Sequence, residues 1–266
     1  MIDILKNVFT EEQLLLCEAL PFYECSVLYP HKLARLGFVP ESVIVFAIPY
    51  FVKDETERNL SRYAVPRDYH LYVKELEKRL IPSLEMRFQG HHFALFADNS
   101  PIDERSAAVK AGLGVAGKNG LVLTERYGSY VFLGEVLTDL CYDEIGTRQS
   151  FEITPCHACG ACLAACPKKK ECLSALTQRK GVLSEDEEKE IVALGLVWGC
   201  DVCQEVCPYN RSIEETPIAF FQKERIPYLT RLSLEKMSDE EFSRRAYAWR
   251  KRETVLRNLG LFDDFS

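Results

Sequence analysis

The stretch from Cys156 to Cys207 constrains this chain more than any other. It opens with Cys156-His157-Ala158-Cys159-Gly160-Ala161-Cys162-Leu163-Ala164-Ala165-Cys166-Pro167 and closes with Cys200-Asp201-Val202-Cys203-Gln204-Glu205-Val206-Cys207-Pro208. The first run has the form C-x2-C-x2-C-x3-C-P, a spacing that places three thiolates on one [4Fe–4S] cube and the fourth on a neighbouring cube. Two-residue steps let a tight loop close three corners, whereas the longer step to Cys166 enters a helical turn and points that sulfur elsewhere. The first cube then needs a distant fourth corner, and Cys207, also followed by proline, is the natural donor. The second cube is left with Cys166, Cys200 and Cys203, and Cys172 is the only unassigned cysteine nearby.

Other uses of these cysteines fit the pattern less well. Zinc sites usually close with four ligands in two C-x2-C pairs, which would leave several thiols idle. Disulfides call for an oxidising compartment, and Met1-Ile2-Asp3-Ile4-Leu5-Lys6 lacks the basic and apolar regions of a signal peptide. No apolar run reaches the roughly 18 to 20 residues of a membrane span, so a soluble, cytoplasmic protein is expected. Of the 11 cysteines, Cys17, Cys25 and Cys141 lie outside the cluster stretch in apolar company and read as core thiols. With 40 acidic against 33 basic side chains the formal net charge is -7, which argues against indiscriminate nucleic-acid binding but leaves room for a local basic face. Lys168-Lys169-Lys170, Arg179-Lys180, Arg244-Arg245, Arg250-Lys251-Arg252 and Arg257 are where one could form; for the tail, a solvated helix face is the simpler reading.

Before the cysteines, hydrophobic patterning predicts mixed helix and sheet. Glu11–Leu20 reads as a helix behind a Thr10 cap. Ser42–Tyr50 is a continuous β-branched run, expected as a central strand buried on both faces. An Arg-Tyr-rich entry, 61–70, leads into a helix from Leu71 to Leu80. His92–Ala97 reads as a strand that delivers Asp98. Ser100-Pro101-Ile102-Asp103 has the form of a helix cap, with the helix stopping at Gly112. Asp98 then stands at a strand's carboxyl end before a helix N-terminus, where open α/β sheets place ligand-binding residues; assistance to the cap is the simpler account. The glycine-dense Ala111–Gly120 loop follows a helix instead of a strand, so it is not a dinucleotide fingerprint. Its glycines are expected to let backbone approach a large flat ligand. Gly128–Asp139 reads as another strand, Ser184–Ile191 as an acidic helix, and the segment beyond Asn210 as helical.

A free-standing ferredoxin would not need the whole stretch before Cys156. The ordered set Arg62-Tyr63, Asp68-Tyr69-His70, Asp98 to Arg105, Ala111-Gly112-Leu113-Gly114, Gly117-Lys118-Asn119, Phe132-Leu133-Gly134-Glu135, both cysteine runs, Cys172 to Thr177 and Arg257-Asn258 resembles the epoxyqueuosine reductase family. The resemblance implies an α+β protein: an N-terminal α/β cobalamin-binding and catalytic domain over 1–148, a bacterial-ferredoxin-like two-cluster domain over 149–212, and a helical tail over 213–266. It implies a cobalamin- and iron–sulfur-dependent reductase acting on epoxyqueuosine in a tRNA anticodon stem-loop. It assigns Cys156, Cys159, Cys162 and Cys207 to one cluster and Cys166, Cys172, Cys200 and Cys203 to the other. It makes Asp98 the proton donor, and Lys118, Asn119, Gly120, Leu121, Val122, Leu133, Val136 and Ser174 the contacts of a base-off cobalamin. A monomer fed by an external donor such as flavodoxin or ferredoxin is expected, in a short form lacking the family's C-terminal helical-repeat domain. The alternatives are a dehalogenase-like cobalamin reductase of a small molecule and an iron–sulfur electron carrier without corrinoid.

Overall fold

The computed structural model describes residues 2–53, 57–145, 155–168 and 171–262. The described chain gathers into two units that are not contiguous in sequence. One comprises Met1–Pro49, Tyr72–Cys159 and Tyr209–Pro217, the other Tyr50–Leu71, Gly160–Pro208 and Ile218–Ser266. A linear division at 148 and 212 therefore does not follow these units, and the 148/149 boundary lies outside the described residues.

The first unit is built on a four-stranded sheet in the order β1-β2-β6-β3: β1 (Cys17–Pro21), β2 (Ser42–Pro49), β3 (Phe93–Phe96) and β6 (Val131–Thr138). Between β3 and β6 in the chain, β4 (Val115–Ala116) and β5 (Val122–Leu123) form a separate hairpin. Every pairing in the main sheet is antiparallel. The helices and sheet of the expected mixed fold are present, but the carboxyl-end rule for parallel α/β sheets does not apply to Asp98. As its unbroken apolar run requires, β2 is an interior strand buried along its whole length.

Strand alternation sends odd and even residues of β2 to opposite faces. Val43, Val45 and Ala47 pack with Ala107, Ala108 and Ala111 of the helix Glu104–Ala111. On the other face Phe46 meets Phe9 of the helix Ile2–Glu11, ring centroids 5.3 Å apart. The long helix Tyr69–Arg87 buries Tyr72, Leu76, Leu80 and Leu84, one residue per helical turn, and Arg79 and Arg87 bond Glu12 and Glu11.

Two local expectations are corrected. Glu11–Leu20 is not a helix: the first helix ends at Glu11, Gln13 adopts φ 63°, and Cys17–Pro21 becomes β1. Pairing Cys17 to Pro21 against β2 buries this apolar stretch as an outer strand, and that tertiary gain overrides local helical preference. The cap before Glu104 is Asp103, whose carboxylate accepts the Ser106 N–H, not Ser100, which instead accepts the Ile102 N–H. The stop at Gly112 is as expected, in the left-handed conformation.

The second unit is mostly helical: Ala161–Ala165, Leu173–Gln178, Glu185–Leu194, Val202–Glu205, and beyond Ile218 a run ending in Lys251–Gly260. One of its cores joins Leu60, Val65, Val197 and Trp198 to Leu229, Tyr247, Val255 and Leu259, so the tail closes over segments that precede it by up to two hundred residues.

Candidate active site and iron–sulfur loops

The second cysteine run is held by buried polar groups. Asp201 is 1% exposed and accepts from Ser61 Oγ at 2.6 Å, Arg58 Nη1 at 2.8 Å and the Arg62 N–H at 2.8 Å. One residue before Cys200, Gly199 has φ 77°, donates its N–H to Thr177 Oγ1, and leaves no room for a Cβ against Ser61 and Tyr63. Asn258 Nδ2 donates to the carbonyls of Thr177 and Val197. The Arg-Tyr entry thus contributes directly: the Arg62 backbone holds Asp201, and the Tyr63 hydroxyl accepts from Gln178, whose amide also bonds Ser174. Sequence reasoning missed Asp201, although its place between Cys200 and Cys203 was a signal.

No disulfide joins the described cysteines. Cys203 lies within electrostatic reach of Cys200, Cys172, Cys166 and Cys162, and Cys200 within reach of Cys172 and Cys166. Burial pushes both thiols up to about 11, and the neighbouring cysteines add to the rise. Thiolates here are stable only if a metal takes their charge. Among the described residues no three His, Cys, Asp or Glu are gathered tightly enough for a single ion; a cube instead hangs each thiolate on its own iron. Cys166, Cys172, Cys200 and Cys203 are thus four neighbouring thiols, the donor chemistry that an iron–sulfur cube takes. Cys156 and Cys159 belong to the first unit, Cys162 and Cys207 to the second.

Within the first unit, the Cys156 thiol is held below its usual range by the backbone N–H groups of Ala158 and Lys118. The start of the cysteine motif and the Lys118–Val122 segment are therefore in contact. Asn119 Oδ1 accepts the Leu121 N–H while Asn119 Nδ2 is buried with no partner among the described residues, an orphan donor of the kind a bound polar group satisfies. The glycines before it have a nearer cause than a flat ligand. A Cβ on Gly114 would lie 2.7 Å from the Leu123 carbonyl oxygen, and one on Gly117 would lie 2.5 Å from Asn119 Oδ1, so both serve the β4–β5 hairpin itself.

Leu133 and Val136 are not brought together: Leu133 shares the face of the helix Glu104–Ala111, whereas Val136 is fully buried and, three positions on, points to the opposite face. Leu133 shares that buried cluster with Val122, and Val136 does not. Ser174 lies in the second unit. Cys17 and Cys25 behave as core thiols, both pushed up to about 12 chiefly by burial.

Asp98 follows β3 in a tight turn at φ 64° with its side chain exposed; the Ser100 N–H donates to its carbonyl. Beneath it lie two carboxyls that sequence reasoning did not single out. Glu104 is pushed up to about 8 by burial, then by Asp98, whose own N–H it accepts. Glu135 is 0% exposed and raised well above the usual range by burial and by Glu104. A charged residue in an otherwise apolar strand was the available signal.

The basic segments are largely occupied. Arg179 pairs with Glu187 and Glu171, Arg252 donates to the carbonyls of Leu234, Met237 and Ser238, and Arg257 donates to those of Arg179 and Gly181. Lys169 and Lys170 lie outside the described residues. Among the described residues no helix is long and apolar enough to cross a membrane.

Comparison with known proteins gives one consistent picture. The family model described as epoxyqueuosine reductase QueG, DUF1730, matches residues 32–99. An epoxyqueuosine reductase of Listeria monocytogenes is 31% identical over 94% of this chain and 72% of its own length. That of Aliivibrio fischeri is 35% identical over 71% of this chain and 52% of its own, so the chain spans about half the length of some curated relatives. A crystal structure of an epoxyqueuosine reductase with an epoxyqueuosine-modified tRNA-Tyr stem loop superposes with TM-score 0.74 at 23% identity, over 98% of this chain and 81% of the other.

Proposed function

Because the chain belongs to the epoxyqueuosine reductase family, we propose that it reduces the epoxide of epoxyqueuosine in a tRNA anticodon stem-loop, using two [4Fe–4S] clusters and a base-off cobalamin. The observation that carries this reading is the Lys118 N–H on Cys156, which puts the segment suited to a corrin against the first ligand of the iron–sulfur motif. Cys156, Cys159, Cys162 and Cys207 would hold one cluster, Cys166, Cys172, Cys200 and Cys203 the other. Lys118 to Val122 and Leu133 would line the corrin, with Ser174 from the second unit. When bound, these groups supply the electrons and the reducing metal.

The chain's own residues do the rest. Asp98, exposed at the tip of its turn, gives its carboxyl proton to the epoxide oxygen, which would otherwise leave as a strongly basic alkoxide. The orphan Asn119 amide donates to a polar group of the bound ligand and fixes its orientation. Asp201 with Arg58, Ser61 and Arg62 keeps Cys200 and Cys203 in place before any metal arrives. A solved relative carrying an epoxyqueuosine-modified stem loop supports RNA as substrate. We take the protein to act as a monomer supplied by an external donor such as flavodoxin or ferredoxin.

The test is anaerobic purification with metal analysis, followed by turnover of an epoxyqueuosine-containing stem-loop with a chemical reductant. About eight irons and one cobalt per chain, with queuosine formed, are expected. Iron without cobalt would leave an electron carrier; cobalt and iron without stem-loop turnover would favour a small-molecule substrate.

A further inference from the structure

Glu135 is the buried group that the proposed reaction leaves unused. On β6 it shares a face with Val131, Leu133 and Leu137, the face packed against Ala107 and Ala108. It stands opposite Val45 of β2 and Phe96 of β3, and Phe96 is two residues ahead of Asp98. Neither of its carboxyl oxygens has a hydrogen-bond partner among the described residues, and Glu104 Oε1 is likewise buried and unpartnered. The Ser100 hydroxyl faces Glu135 without closing a well-formed hydrogen bond.

A carboxylate enclosed in apolar surroundings with no donor takes up a proton instead of staying charged, and a second carboxyl beside it reinforces that choice. Among the described residues the cation that opposes this, Lys32, is the smallest of the influences on Glu104. Facing Glu104 are Asp98, Asp103 and Lys32, and Lys32 spends its ammonium on the Asn99 carbonyl and side chain. Facing Glu135 are Glu104, Ser100 and the thiol of Cys25. On the overlying helix, Arg105 donates to the Gly120 carbonyl and Lys110 to that of Glu24. The residues of β2 on this face, Val43, Val45 and Ala47, carry no charge.

We propose that Glu104 and Glu135 form a proton-holding carboxyl pair beneath the turn that carries Asp98, and that both are positioning residues for that turn. While the pair is protonated, Glu104 accepts the Asp98 N–H and keeps Asp98 presented in its left-handed conformation. The Asp98 N–H bond by itself favours the anion, but ionisation sets Glu104 against the carboxylates of Asp98 and Asp103, whose repulsion loosens the turn. The positioning role matters to catalysis only if Asp98 is the proton donor; the protonation of the pair does not depend on that.

Infrared spectroscopy and amide hydrogen exchange of the anaerobic holoenzyme test this directly. A neutral carboxylic-acid carbonyl band is expected at pH 7, weakened by Glu135→Gln and again by Glu104→Gln. Exchange at Asp98 and Asn99 is expected to accelerate as pH passes about 8 beyond the rise intrinsic to amide chemistry, and Glu104→Gln is expected to abolish that excess. Turnover is expected to fall on the same alkaline limb, with the limb moved to higher pH in Glu104→Gln. Absence of the acid band in the native protein overturns the pair. A band with neither exchange nor the alkaline limb altered by Glu104→Gln overturns the positioning role. If the native protein turns over no stem-loop, the proposed reaction fails, while band and exchange still decide this inference.

Discussion

Asp98 and Asp201 show two opposite uses of one side chain. Asp98 is exposed in a turn at φ 64°, so Asp98→Ala is expected to retain iron and cobalt while stem-loop turnover falls about 10²- to 10⁴-fold. Single-turnover assay beside metal analysis measures both. Asp201 is the reverse: sealed from solvent, it is the acceptor for three donors. Asp201→Ala strands Ser61 Oγ and the Arg62 N–H and leaves Arg58 with Glu205 and the Leu60 carbonyl. The expected cost is about 2–4 kcal/mol, with part of the iron lost, read by denaturant unfolding and anaerobic iron analysis. An unchanged iron count would show that the loop needs no such brace. The ligand cysteines were legible because their spacing alone carries the chemistry. Asp201 was not, since its importance comes from Arg58 and Ser61, more than a hundred residues earlier.

Strand β6 carries the most information per residue. Its interior place between β2 and β3 makes each side chain answer to one face or the other, which is why Leu133 and Val136 part company. Gly134 has Phe46 so close that a Cβ would lie 2.4 Å from the ring. Gly134→Ala is therefore expected to cost about 1–3 kcal/mol by overpacking, measured by chemical denaturation, and the buried ring gives the alanine no easy accommodation. Sequence patterning identified β2, the helix after Tyr69 and the stop at Gly112 from local signals. It misread Cys17–Pro21 because that run owes its strand form to pairing with Ser42–Phe46. It read the glycines of the β4–β5 hairpin as room for a ligand when they are room for the hairpin's own backbone.

For the molecule as a whole, the carboxyl pair sets a pH dependence with a definite sign. Glu104 and Glu135 are both raised in the folded state, so the stability they contribute is complete below the ordinary carboxyl range, about pH 4.3, and falls as pH rises above it, the share of Glu104 being lost as pH passes about 8. Thermal melts of wild type and Glu104→Gln are expected to diverge between about pH 5 and 8, wild type losing ground. Equal melting temperatures across that range would mean the pair carries no such load. A contiguous domain division was the natural sequence reading, since composition changes along a line. The chain instead returns: residues 50–71 and 218–266 join 160–208 in one unit, with Asn59 bonded to Leu229 and Asn258 to Thr177 and Val197. During synthesis the cysteines leave the ribosome well before Asn258 does. Without the late helix, Thr177 and Val197 lack the Asn258 bonds that brace the segments beside the cysteines. Growth under strict anaerobiosis is therefore expected to raise the iron content per purified chain.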